Sequence, residues 1–343
     1  MSFTASETAA DPVALRRQSM QHQPISGRPV ADLLPAGLSM GMVTLKSDNV
    51  ARLRAYYEQA LGLVALAEDG PHVVLGRSGV PLVGIEEARG LKLPTEGEAG
   101  LYHVAILFEE AADLAATVYS AVRLDPTRFV GSSDHLVSEA FYFQDPDNNG
   151  IELYVDRPRD QWQWGSDRQV AMTTIYLPWD RYLDTHLTEE AVNRLTTAPA
   201  AVGHVHLQVG DVLEAEDFYI RELGFEKTTA LGTMALFVSA GGYHHHMAMN
   251  TWNSTGVGPR RNTLGLGSVE ITLPQGEGLG SAEDRLKSAG RAVQRTGRGL
   301  EVRDPWNTLL VLSEAEVPAG VGTDAGPSAE AAPETKEDTP RVN

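Results

Sequence analysis

Two histidines and one glutamate in this chain stand where a metal ion could be held. His103 and His204 occupy matching places in two short texts, Tyr-His-Val-Ala-Ile-Leu-Phe at 102–108 and Gly-His-Val-His-Leu-Gln-Val at 203–209. Glu152 interrupts the apolar run of Ile151, Leu153 and Tyr154. An ionised carboxylate inside such a run is costly unless a cation or hydrogen-bond donors satisfy it. Two imidazoles and one carboxylate on one face of an ion leave its other positions open to reactants, which is the facial triad of non-haem Fe(II) sites. Each residue also has a plainer reading. A lone strand histidine is usually a hydrogen-bonded structural residue, and Glu152 alone would face water from the outer side of a half-exposed strand. Matched placement favours the triad, provided that the segments carrying it pair.

Further histidines surround this set. His206 follows His204 on the same strand face, where a structural role is the simpler reading, and His135 stands at the mouth of the hairpin that carries Glu152. The run His244, His245, His246 is expected on a strand, with His245 on the opposite face from its two neighbours. A polar strand end near solvent is the bland account of that run, and at least one of the three has no chemical role.

The elements that would position these residues form a repeat. Segment 133–156 reads as a hairpin, with strands at 137–143 and 151–155 about the turn Asp-Pro-Asp-Asn-Asn-Gly at 145–150. A strand at 38–46, a helix at 49–61 and three short strands over 62–86 recur as a strand at 201–209, a helix at 213–223 and three strands over 224–250. YYEQALGL at 56–63 stands against FYIRELGF at 218–225, and weaker copies begin at Gly100 and Gly265. Four βαβββ units result, an α+β organisation. No such unit closes a core alone, so units should pair with their curved sheets around a cavity, giving two paired-sheet half-barrel domains. The chain then divides into an irregular extension (1–35), units one and two (36–157), a connector (158–200), units three and four (201–313) and an acidic tail (314–343) expected to be disordered. Residues 22–34 are expected along a domain surface. The connector holds Trp162, Trp164, Tyr176 and Trp179, which predicts packing across the units, with a short helix at 188–196.

Composition bounds the chemistry. The 343 residues suffice for about two domains, and no apolar run is long enough to span a bilayer. A formal charge of −18 argues against nucleic acid and anionic membranes as partners and favours a small, neutral or weakly charged substrate. The N-terminus lacks the apolar core of a secretory signal, so a cytoplasmic location is expected. With no cysteine, any metal is held by His, Asp or Glu. That favours Fe(II), Mn(II), Zn(II) or Ni(II) over copper(I) or an iron–sulfur cluster.

The four-unit plan, the LGL and LGF helix ends, DPDNNGIELY at 145–154 and GGYHHHMAMNTW at 241–252 together resemble the vicinal oxygen chelate superfamily. Within it the chain is most similar to the type I extradiol ring-cleaving dioxygenases, and specifically to two-domain catechol-2,3-dioxygenases of the Bacillus kind. The resemblance covers about 38–312. It implies metal ligands at His103, Glu152 and His204, a catalytic base at His245, a substrate-binding tyrosine at Tyr142, and, by approximate spacing, a further histidine at His135. It implies Fe(II), with Mn(II) second, and as partners an aromatic diol of the catechol or hydroquinone type and O2, with self-association into a homo-oligomer left open. Phe143, Phe237, Trp252 and Met249 are wall candidates, of which Phe237 is assigned instead to ordinary core.

The chain departs from the commonest pattern of that family, in which units three and four carry the metal. Here Ser268 stands at the fourth unit's histidine place, Leu309 and Leu310 stand where its glutamate belongs, and Met42 takes the ligand place of unit one. The full set exists only across units two and three, which are therefore expected to pair around the metal while units one and four pair without one. A site shared between two chains is the competing arrangement. Two rival functions share the fold: a glyoxalase-like lyase or isomerase, which usually needs two carboxylates, and a protein that sequesters an aromatic compound without a metal.

Overall fold

A computed structural model of the chain describes residues 27–315. Of the acidic tail expected at 314–343 only 314–315 are described, with Glu314 ending β17, and most of the extension at 1–35 lies outside the described residues, as does the start of segment 22–34. Unit one comprises β1 (Ser39–Ser47), α1 (Val50–Leu61), β2 (Val64–Asp69), β3 (His72–Arg77) and β4 (Val80–Glu87). Unit two comprises β5 (Gly100–Phe108), α2 (Ala111–Leu124), β6 (Phe129–Asp134), β7 (Ser138–Gln144) and β8 (Gly150–Asp156). The connector contributes the two-residue strand β9 (Ile175–Tyr176) and helices α3 (Trp179–His186) and α4 (Glu189–Asn193). Unit three has β10 (Ala200–Gln208), α5 (Val212–Glu216), β11 (Glu226–Leu231), β12 (Ala235–Ser239) and β13 (Met247–Asn250). Unit four has β14 (Gly265–Leu273), α6 (Leu279–Ser288), β15 (Val293–Thr296), β16 (Gly299–Arg303) and β17 (Leu309–Glu314). No helix among the described residues is long and apolar enough to cross a membrane.

Two sheets organise these strands. One runs β15-β16-β17-β14-β1-β4-β3-β2 and joins units one and four, while the other runs β11-β12-β13-β10-β5-β8-β7-β6-β9 and joins units two and three. Inside every unit the first strand lies parallel to the last, and the last three form an antiparallel meander. Units meet through their first strands, antiparallel at β1–β14 and β5–β10.

Strand alternation divides each strand of the second sheet between two environments. On β5, Val104, Ile106 and Phe108 enter the large core that also holds Val43 and Leu45 of β1, Val205 and Leu207 of β10, and the buried faces of α1 and α2. Each such fully buried side chain contributes roughly 1.5–3 kcal/mol. The alternate positions, His103 and Ala105, point the other way, toward Tyr154, Ala140 and Tyr142.

Two equivalent carboxylates tie the sheets together. Asp145 accepts the backbone N–H groups of Asp147 and Asn149 at 2.8 and 2.9 Å and the Tyr57 hydroxyl of α1 at 3.1 Å. Asp304 does the same in unit four, accepting from the N–H groups of Trp306 and Thr308 and from the Tyr219 hydroxyl at 3.0 Å. Burial pushes both carboxyls up to about 6, against the pull of these donors. The turn at Asp145 therefore fixes where β8 starts, two residues before Glu152.

The structure corrects several expectations. The run His244–His246 is not on a strand. It lies in the loop before β13, because Gly241 and Gly242, both at positive φ, end the extended backbone that β12 would need to continue. In the connector, the helix expected at 188–196 shrinks to Glu189–Asn193, and α3 and β9 occur where no element was anticipated. Trp162 packs on Tyr243 and Trp179 on Phe129, whereas Trp164 is about one-third exposed and Tyr176 largely so.

Candidate metal centre

The three strands that carry the donors lie side by side. Register pairs Ala105 with Glu152 across β5 and β8, and Ala105 with His204 across β5 and β10, so His103, Glu152 and His204 surround one point. His103 Nε2 is 2.9 Å and His204 Nε2 3.2 Å from Glu152 Oε2, and the two Nε2 atoms are 3.4 Å apart. All three residues are buried. Adjacent ligands at about 2.1 Å from one octahedral ion would be roughly 3.0 Å apart, which these separations approach. The donor set thus fits a divalent metal, and among the described residues it is the one such cluster.

The electrostatics favour the ligand-competent state. Burial alone would raise the Glu152 carboxyl, but the facing imidazoles His204 and His103 and their hydrogen bonds hold it well below the usual carboxylate range. Burial pushes His204 down to about 4, against the opposing pull of Glu152. An ionised carboxylate and neutral imidazoles are the forms that ligate. Gly203 makes room for this arrangement: a Cβ there would lie 1.8 Å from the Tyr154 hydroxyl, whose ring packs 4.9 Å from that of His204.

The donors open on a cavity of about 610 Å³. His245 lines it, its ring centroid 4.1 Å from that of His204 and 5.1 Å from that of Phe237. Behind His245 runs a chain of hydrogen bonds. His244 Nε2 donates to Asp156 Oδ1 at 2.9 Å, which leaves His244 Nδ1 to accept from His245 Nδ1 at 2.7 Å. That tautomer leaves Nε2 of His245 with a free lone pair. Burial holds the His245 imidazole well below its ordinary range. Tyr142, paired directly opposite Glu152 on β7, lines the same cavity, and its hydroxyl donates to His135 Nε2 at 2.7 Å. His135 Nδ1 donates in turn to the Thr173 carbonyl at 2.6 Å. Burial and the nearby Glu152 carboxylate raise the Tyr142 phenol well above its ordinary value.

All six residues singled out in the sequence therefore face one cavity. His206 lines it too, its Nε2 accepting from Asn250 Nδ2 at 3.0 Å, while His246 Nδ1 accepts from the Ala240 N–H at 3.2 Å. Among wall candidates, Phe143 and Trp252 line the cavity. Phe237 does so as well, contrary to its assignment to core, because β12 presents it on the face shared with Ala248. Met249 points the other way into the main core. Sequence reasoning missed Tyr102 and the connector residues Met172, Thr173 and Thr174, which also line the cavity. Strand alternation would place Tyr102 opposite His103, and only the register irregularity of β5 at that point brings it to the cavity; nothing local marked the connector.

Register also identifies the matching places in the other units. Glu152 corresponds to Gly84, Ala248 and Val311, so the fourth unit's counterpart is Val311 rather than Leu309 or Leu310.

Comparison with known proteins agrees with this architecture. No model of a known protein family matches the chain. The chain is 35% identical over 272 residues to a catechol-2,3-dioxygenase of Bacillus subtilis (strain 168), covering 78% of this chain and 93% of that protein. Among the solved structures that share the fold at low identity are the following two. One is the cppA protein of Streptococcus pneumoniae TIGR4 (TM-score 0.51, 13% identity, 81% of this chain and 100% of that one). The other is a mutant glyoxalase I of Zea mays (TM-score 0.51, 15% identity, 81% and 94%). The coverage of the Bacillus relative, taken with the two paired βαβββ sheets, shows that the chain belongs to the vicinal oxygen chelate superfamily, in the family of the Bacillus catechol-2,3-dioxygenase.

Proposed function

We propose that the protein is an extradiol ring-cleaving dioxygenase, acting with O2 on catechol-type or hydroquinone-type diols at Fe(II), with Mn(II) second, held by His103, Glu152 and His204. The observation that carries this reading is convergence: three donors from three strands meet within 3.4 Å in a cavity that His245, Tyr142 and His135 also face. When bound, the ion supplies a centre that binds both reactants and passes electron density between them, which a closed-shell diol and triplet O2 otherwise lack.

The side chains of the chain divide the remaining tasks. His245 presents the free lone pair of Nε2 to the cavity and takes a proton from the diol, returning it as the ring opens. Asp156 and His244 keep that imidazole in the required tautomer. Tyr142 binds a substrate oxygen through its hydroxyl, with His135 holding the phenol in place. Phe237 and Trp252 exclude water from the ring. Across the reaction the carbon–carbon bond beside a hydroxyl-bearing carbon breaks, and both atoms of O2 enter the product.

A glyoxalase-like lyase fits less well, because the place in unit three that matches Glu152 is Ala248, so no second carboxylate reaches the centre. Anaerobic loading with Fe(II), followed by oxygen uptake and absorbance on adding a catechol, tests the proposal. Uptake with a yellow ring-opened product supports it; iron-loaded protein that consumes no O2 with any catechol or hydroquinone overturns it.

A further inference from the structure

The cavity contains no lysine and no arginine among the described residues that line it, and Glu152 is its one carboxylate. Nor is the His135 imidazole free to pair with an incoming anion. It is committed at both ring nitrogens, to Thr173 and Tyr142. Away from the metal donors, a ligand carboxylate buried here would meet no cationic side chain, in a chain of net charge −18.

The walls are instead unequal in polarity. Toward β6 and β7 most of the lining is small or polar, with Gly131, Ser133 and the Tyr142–His135 pair, beside Phe143 and, at the mouth, Val130. Toward β11 and β12 it is mainly apolar, with Leu231, Phe237 and the connector's Met172 beside Thr229. At the mouth, Val130, Leu231 and Trp252 are large apolar side chains left 64%, 46% and 45% exposed, which gives a ligand an apolar way in. A volume of about 610 Å³ exceeds what one unsubstituted ring fills.

Building on the dioxygenase reading, we infer that the site selects an uncharged aromatic diol with an apolar substituent lodged against Leu231, Phe237 and Met172, and rejects diols bearing a carboxylate. The hydroxyl pair lies at the metal donors, and the substituent points toward β11. Selection of this kind needs no repulsive residue, because an anion desolvated against Leu231, Phe237 and Met172 finds no cationic side chain to replace its water.

The test uses two catechols of matched length, one carrying a butyl chain and the other a propanoate chain, titrated calorimetrically under anaerobic conditions into the Fe(II)-loaded protein. The butyl compound is expected to bind on the order of a hundredfold more tightly. Equal affinities, or tighter binding of the propanoate, would overturn the inference. Leu231→Arg places a cation at the rim without touching the core and should narrow the gap to tenfold or less by strengthening propanoate binding; a gap unchanged in a folded Leu231→Arg protein would remove the substituent from that wall. Turnover plays no part in these titrations. Failure to open any ring would count against the dioxygenase reading alone, and loss of the binding preference against this inference alone.

Discussion

His103 Nε2 and His204 Nε2 lie 3.4 Å apart on the antiparallel neighbours β5 and β10, although 101 positions separate them in the chain. With Glu152 Oε2 at 2.9 and 3.2 Å, three potential metal-donor atoms crowd one buried point. Such crowding is unfavourable unless protons or a cation are shared among them, so the site is built to want a positive charge. It also sits on the seam between units two and three, and holding an ion there couples the two units.

Replacing Glu152 by Gln removes the negative donor while keeping its shape. Metal affinity should fall by at least the roughly 10–100-fold that even a supporting partner costs. Metal also binds the folded state, so a chelator should lower the melting temperature of the parent but leave that of the Glu152→Gln variant unchanged. Full iron retention in the variant, measured by elemental analysis, would take Glu152 out of the ligand set.

His245→Ala should keep its iron and still bind a catechol, yet lose about a hundredfold to ten-thousandfold in kcat, the usual contribution of a general acid–base group. Parent-like turnover by that variant would exclude His245 from proton transfer.

The chain from Asp156 through His244 to His245 predicts a graded effect. Asp156→Asn leaves the donors untouched but loosens the tautomer of His244, and with it that of His245. A loss in kcat smaller than that of His245→Ala, with KM and iron content near those of the parent, is expected. A KM change with constant kcat would assign Asp156 to substrate binding instead.

Much of this arrangement was legible in the sequence because the repeat is written in local text. The YYEQALGL and FYIRELGF segments become α1 and the helical stretch running from α5 to Leu223, and matching first-strand histidines become neighbours once the units pair. The turn residues at 145–150 placed Glu152 two positions beyond a sharp reversal, where it is found. What was not legible depends on long-range packing. Phe237 and Met249 are both apolar strand residues, and only the pairing of β12 with β13 decides which faces the cavity. The stretch 172–174 carries no periodicity, and its place over the cavity comes from contacts such as the Thr173 carbonyl with His135. The histidine run misled because three polar residues in sequence look the same on a strand end as in a loop.

A separate prediction concerns the tie at Asp304, which lies away from the metal donors. Its carboxyl is pushed up to about 6 in the folded chain by burial, from an ordinary value of 3.8. A raised folded value means that the folded state holds the proton more tightly than the unfolded chain. The stabilisation is therefore complete below the ordinary value and is lost as pH rises through about 6. Relative to Asp304→Asn, the parent should gain on the order of 3 kcal/mol in denaturant-measured stability between pH 7 and pH 3.5. Parallel stability curves for the two proteins would show that Asp304 titrates normally.

The central claim is that the His103, Glu152 and His204 donors hold an ion at which both atoms of O2 enter an opened ring. A single turnover of Fe(II)-loaded protein with a catechol under isotopically labelled O2, read by mass spectrometry, tests it most directly. The account predicts a ring-opened product carrying two labelled oxygen atoms before any exchange with water. An unlabelled product, or a catechol oxidised to its quinone with the ring intact, would contradict it.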